Sequence, residues 1–192
     1  MTSDLPDIPT QPHPTERRHP ALIAAAVALP VALVVGVIVA AVIAGKMPAR
    51  EPVALGPVPA PGAQSPECAA LLQALPGDLG EYETAELATP TPPSVKAWQR
   101  REGGDPVVLR CGLDRPLEFN RASPLQVVDD VSWFQISGTD LGMASSTWFA
   151  VDRGSYVALT VPDGTGPTPL QGVSDAISQA MPARPIDPGE VR

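Results

Sequence analysis

Twenty-five consecutive residues, Ala21 to Gly45, carry no charge and are almost all Ala, Val, Leu or Ile. A helix of that length spans about 37 Å, more than the roughly 30 Å of bilayer hydrocarbon, so the run predicts a transmembrane helix over residues 21–45. The rival reading is a cleaved signal peptide, with Val42 and Ala44 near a cleavage site, but the apolar region of such a signal is usually only about 7–15 residues. A lipoprotein signal fits less well, because the nearest cysteine, Cys68, lies far beyond the run. Gly36 and Ala40 place small residues four apart, a spacing that lets helices approach closely; in an Ala-rich helix it also arises by chance.

Orientation cannot be read from flanking cations alone, since Arg17 and Arg18 precede the run and Lys46 and Arg50 follow it. A short N-terminal tail and a longer acidic region with paired cysteines predict an N-terminus in the cytoplasm and a C-terminal domain outside it, in the cell envelope. Residues 1–20 hold Pro6, Pro9, Pro12, Pro14 and Pro20 with few apolar side chains, the composition of a disordered tail. Residues 46–65 are again Pro-rich and predict an extended stalk, able to reach roughly 60 Å at polyproline spacing.

Residues 66–182 are expected to form one domain. Ser65-Pro66-Glu67 opens a helix with a hydroxyl cap, a proline at the first position and an acid at the positive end of the dipole. Cys68, Leu71, Leu72 and Leu75 then share one helix face, and Pro76-Gly77 ends it. The polar, Pro-rich stretch Gly80 to Gly104 predicts mostly loop, with a helical turn around Trp98. A strand follows over 107–113, with Val107, Leu109 and Cys111 on one face. A second strand is expected over 127–137. Strands at 146–151 and 155–162 then form a hairpin about Asp152-Arg153-Gly154, whose glycine allows a positive φ. Thr168-Pro169-Leu170-Gln171 reads as a capping box opening a final helix with Leu170, Val173, Ile177 and Met181 aligned. Residues 183–192 read as a flexible tail. The order, with no βαβ repetition, predicts an α+β domain: an antiparallel sheet packed by an N-terminal and a C-terminal helix.

Cys68 and Cys111 should both point into that core, and in an oxidising compartment such an isolated pair predicts a disulfide. A metal site needs more ligands and a redox pair usually has CxxC spacing, so those alternatives are weaker. The segments 68–76, 107–112, 131–133 and 156–162, including Val131-Ser132-Trp133 and Val107-Val108-Leu109-Arg110-Cys111-Gly112, resemble an actinobacterial family of unknown function catalogued under the number 3515. The resemblance covers about residues 66–182 and implies an envelope location; it carries over no catalytic residue.

All of the net charge of −8 lies from Pro66 onward, where seventeen acids face nine bases. Nucleic acid and anionic lipid, which need a positive footprint, are therefore disfavoured as ligands of the domain. The two histidines, His13 and His19, lie in the tail, so the domain has no imidazole for a catalytic triad or a typical zinc site. No cofactor or metal is expected. Asp129-Asp130 is the only adjacent acid pair; neighbours on a strand point apart, so a solvated turn or strand entry is the plainer reading. Arg110 lies on the strand face opposite Cys111 and can hold an anionic group, or more simply pair with an acid. Trp98, Trp133, Trp148, Phe149 and Tyr156 are core candidates, with Trp98, in the expected loop, the one placed to contact a ligand. These features point to a membrane-anchored, non-enzymatic module that binds an envelope protein or cell-wall partner. An alternative is an enzyme using carboxylates such as Asp129 or Asp130, and a third is an accessory subunit working through its membrane helix.

Overall fold

The computed structural model describes residues 30–40, 42, 50–139 and 142–191. The expected tail over 1–20, the two ends of the apolar run and residues 46–49 lie outside the described residues. The chain divides into a unit over Met1–Pro48 and a second over Ala49–Arg192. Within the first, residues 30–40 and 42 are helical (α1) and their aliphatic side chains, Leu33 and Val37 among them, are exposed. Among the described residues no helix is long and apolar enough to cross a membrane.

In the second unit, α2 (Pro66–Ala74) precedes a four-stranded meander, β1 (Asp78–Leu79), β2 (Tyr82–Thr84), β3 (Val95–Arg100) and β4 (Val107–Leu113). A second meander follows, β5 (Gln126–Val128), β6 (Val131–Ser137), β7 (Ser145–Ala150) and β8 (Tyr156–Pro162), and then α3 (Thr168–Ala180). The last strands of the two meanders pair, giving one sheet in the order β1-β2-β3-β4-β8-β7-β6-β5 with every neighbour antiparallel. The domain is therefore α+β with N-terminal and C-terminal helices, as the sequence leads one to expect.

One sheet face carries the main core. Strand alternation sends Val107, Leu109 and Cys111 to this face, where they meet Cys68 and Leu71 of α2 and Val173 and Ile177 of α3, all fully or almost fully buried. Each such aliphatic side chain contributes roughly 1.5–3 kcal/mol through burial. The other face is covered by irregular chain. Val53, Ala97 and Val108 form one small cluster beneath the segment that begins at Arg50, and Phe119, Phe134 and Val151 form another.

Several local expectations are corrected. Residues 80–104 are not mostly loop, and Trp98 is in strand β3 rather than a helical turn. Polar side chains hide this strand from a periodicity reading because their stems pack: Lys96 lies over the Trp98 ring, 5.3 Å from its centroid. The strand expected over 127–137 is broken at Asp129 and Asp130, whose φ values of 45° and 62° make a tight turn between β5 and β6. Gly154 does not take the positive φ expected of it. The capping box does not form either: the N-cap of α3 is Pro167, without a side-chain cap, and Thr168 is already helical. By contrast, the Ser65 hydroxyl accepts the Cys68 N–H as expected.

The stalk and the C-terminal tail are also corrected where they are described. From Arg50 the chain lies on the domain: Arg50 pairs with Glu83 at 2.5 Å, Val53 bridges Leu87, and Gly62 donates to the Gly112 carbonyl at 2.9 Å. Gly112 has φ +85, and an added Cβ would sit 2.2 Å from the Gly62–Ala63 peptide, so glycine is required there on both counts. At the other end, Ala183 bridges Arg153 and Gly189 bridges Asn120, with Arg115–Asp187 and Arg121–Glu190 ion pairs beside them. Backbone pairing holds both segments, and composition carries no signal for it.

Candidate functional site

Cys68 and Cys111 are joined, with Cα atoms 5.6 Å apart and neither residue exposed. The cross-link ties α2 to the central strand β4 and closes a loop worth about 4 kcal/mol in the chain-entropy model. It is buried beneath the helices and acts as a structural bond.

Trp98, the expected ligand contact, is fully buried, and its indole N–H donates to the Pro76 carbonyl at 3.1 Å. Trp133 is its counterpart in the second meander: the indole donates to Ser174 Oγ at 2.9 Å, and that hydroxyl donates on to the Leu170 carbonyl. Each indole thus fastens one helix to the sheet, which accounts for two of the three tryptophans without a ligand. Lys96 donates to the Leu75 and Pro76 carbonyls at the end of α2, and burial holds its pKa below the usual lysine range.

Asp129 and Asp130 are exposed in their turn. Their carbonyls are what the fold uses, accepting from Ser178 Oγ and Arg153 Nη2 respectively. Among the described residues, no group of three His, Cys, Asp or Glu side chains is placed to hold a metal ion. Sequence reading missed the Asp152–Arg153 pair, in which an almost fully buried guanidinium lies 2.8 Å from the Asp152 carboxylate. Adjacent opposite charges in a turn are its only local signal. The pair knits the turns together, Arg153 donating to the Asp130 carbonyl and Asp152 accepting the Ser132 N–H.

Hollows open on the described surface, among them these two. One, of about 430 Å³, lies between the end of α2, β1 and α3, lined by Asp78, Leu79, Gly80, Thr168, Gln171 and Asp175. The other, of about 390 Å³, is bounded by Arg115, Pro116, Leu117, Phe119 and Gly189. Neither holds a nucleophile with a base beside it.

Arg110 occupies the middle of the sheet face away from the helices, between Val95 on β3 and Ala158 on β8. Its guanidinium Nη2 donates to the Gly56 carbonyl at 3.2 Å. The acid partner expected for it is not found: among the described residues no carboxylate pairs with Arg110, although Arg50, Arg100, Arg101, Arg115, Arg121 and Arg153 each have one. Burial lowers its pKa from the usual arginine range. One register step along, Thr160 pairs with Thr147, and their hydroxyls are 3.0 Å apart. Nearby, Tyr156 is held above the usual phenol range by burial and then by Asp187, whose carbonyl accepts the phenol proton at 3.3 Å.

No curated protein and no solved structure matches this chain. Residues 27–186, most of its length, match the family model described as "Protein of unknown function (DUF3515)", and the chain belongs to that family.

Proposed function

We propose that this chain is a single-pass membrane protein whose N-terminus lies in the cytoplasm and whose domain, outside the cytoplasm, is a non-enzymatic binding or accessory module of the cell envelope. The observation that carries the reading is a wholly buried disulfide in a chain whose N-terminal part contains twenty-five uncharged apolar residues. A cross-link of this kind persists in oxidising compartments, and an uncharged run of that length suits hydrocarbon. The exposed aliphatic side chains of α1 are what a lipid-facing helix presents.

A non-enzymatic role is supported by what the domain does with its polar groups. The Trp98 indole and Lys96 donate to backbone carbonyls, the Trp133 indole to the Ser174 hydroxyl, and the Asp129–Asp130 turn gives its carbonyls to Ser178 and Arg153, while the carboxylates a hydrolytic mechanism would require stay exposed. No observation favours the carboxylate-enzyme alternative.

The test is cell fractionation with peptide mapping under non-reducing conditions, followed by in-cell crosslinking of the domain and mass spectrometry. The expected result is an intact chain in the membrane fraction, Cys68 bonded to Cys111, and one specific envelope neighbour. Recovery of the intact chain from the soluble cytoplasm with free thiols would end this proposal.

A further inference from the structure

Arg110 is half-buried, its guanidinium remains within reach of water, and among the described residues no carboxylate lies beside it, so its fork is open to an anion from outside the chain. Its single hydrogen bond among the described residues goes to the Gly56 carbonyl, and a guanidinium has five N–H donors in a fixed fork. Scarcity of acids is not the explanation, since seventeen lie from Pro66 onward and six other arginines have found one. The surroundings on this face are instead small or apolar: Val95 and Val108 on one side, Ala158 across the pair, and Phe149 beyond it.

Thr160 stands diagonally from Arg110, because Val108 pairs with Thr160 and Arg110 with Ala158. Diagonal neighbours in an antiparallel pair are about 7–8 Å apart, within reach of a long side chain. The Thr147 and Thr160 hydroxyls are bonded to each other, so whichever donates in that bond, the other keeps its own proton for a further acceptor. A cation with free donors and a hydroxyl proton therefore stand on one half-buried face, between the segment that carries Gly56 and strand β7.

The geometry points to a carboxylate-binding site on this face, in which the Arg110 fork grips the ligand's carboxylate and the Thr147–Thr160 pair supplies one further hydrogen bond. A carboxylate matches the planar fork with two parallel bonds. Its single charge also suits a domain with eight more acids than bases, which repels a multiply charged phosphate more strongly. Val95 and Phe149, half-buried on the same face, favour a ligand whose carboxylate is attached to a small apolar body.

The inference deepens the binding-module reading and rests on it. The probes are N-acetylalanine, as the carboxylate, and inorganic phosphate, each titrated at constant ionic strength into the isotopically labelled full chain in detergent micelles. The guanidinium Nε–H resonance of Arg110 is followed together with the melting temperature. N-acetylalanine is expected to shift that resonance saturably and to raise the melting temperature. Arg110→Gln should lose both responses, and Arg110→Lys should bind at least about tenfold more weakly for want of the fork. Thr160→Val, which leaves Arg110 and its Gly56 contact in place, should weaken binding several-fold and guards against a folding defect in the arginine variants. An unmoved Arg110 resonance, an Arg110→Gln variant that responds like the parent, or phosphate binding more tightly than N-acetylalanine would each overturn the proposal. If the titration is silent while crosslinking still recovers one envelope neighbour, the Arg110 site falls and the binding-module reading stands.

Discussion

The two faces of the sheet are built on different principles. Beneath α2 and α3 the side chains form one continuous core cross-linked by the disulfide, with both indoles fastened to helical residues or their ends. On the opposite face two small apolar clusters lie apart under irregular chain, and between Val95 and Ala158 sits a cation with no acid partner among the described residues. The difference teaches that the surface that stabilises the fold and the surface proposed to bind a ligand are opposite faces of the same strands. Consecutive residues of β4 serve both ends, since Leu109 is core and Arg110 is not.

The sharpest way to break that comparison is to cut the cross-link. Replacing Cys68 and Cys111 together by Ala should lower unfolding free energy by about 4 kcal/mol, read by denaturant titration of the oxidised parent and the variant. A loss below about 1 kcal/mol would mean that the helix-covered face is not where stability resides. Neighbours on β4 provide the next test. Leu109→Ala should cost roughly 2–5 kcal/mol, whereas Val108→Ala, on the strap-covered face, should cost no more than about 1–2 kcal/mol. Equal costs would erase the distinction between the faces.

Ser174→Ala refines the account of the core, because it strands the buried Trp133 N–H without an acceptor. The expected cost is roughly 1–3 kcal/mol, with a changed Trp fluorescence on the α3 side. The smallest effect concerns the segment from Arg50. Arg50 first, and then Arg101, hold the Glu83 carboxyl below the usual Glu range. A lowered folded-state pKa stabilises above the unfolded value, about 4.3, and that contribution fades as pH falls through the lower folded value. Amide exchange near Val53 should therefore rise below about pH 4 while exchange in α2 and α3 stays slow. Uniform acceleration would show that the segment is not a separate layer.

Much of the helix-covered face is legible in the residues. The spacing of Cys68, Leu71 and Leu75 marks α2, and alternation in Val107, Leu109 and Cys111 marks β4 with its bounds. Both signals report a side chain's fit to a single apolar surface, which is what periodicity measures. The strap-covered face gives no such signal. Val53, Gly62 and Gly189 are held by backbone bonds to distant partners, and a Pro-rich composition reads as free chain when those partners are unknown. For the candidate site, the face of Arg110 follows from alternation. The want of an acid beside it among the described residues, and the Thr147–Thr160 pair across β7 and β8, depend on the strand order and stay hidden until the sheet is assembled. Trp98 was misplaced for the same reason as its strand: a tryptophan amid Lys, Gln and Arg looks like an exposed ring until β4 is laid against it.

The strand order also decides how the domain behaves in a crowd. Its outermost strands are among its shortest, β1 with two residues at one rim and β5 with three at the other, the latter entered just after Pro124, while the seven-residue strands β4 and β8 are shut in the middle. A rim that short offers almost no ladder for a neighbouring polypeptide to extend. Copies packed side by side would thus remain separate molecules rather than zip into a common ribbon.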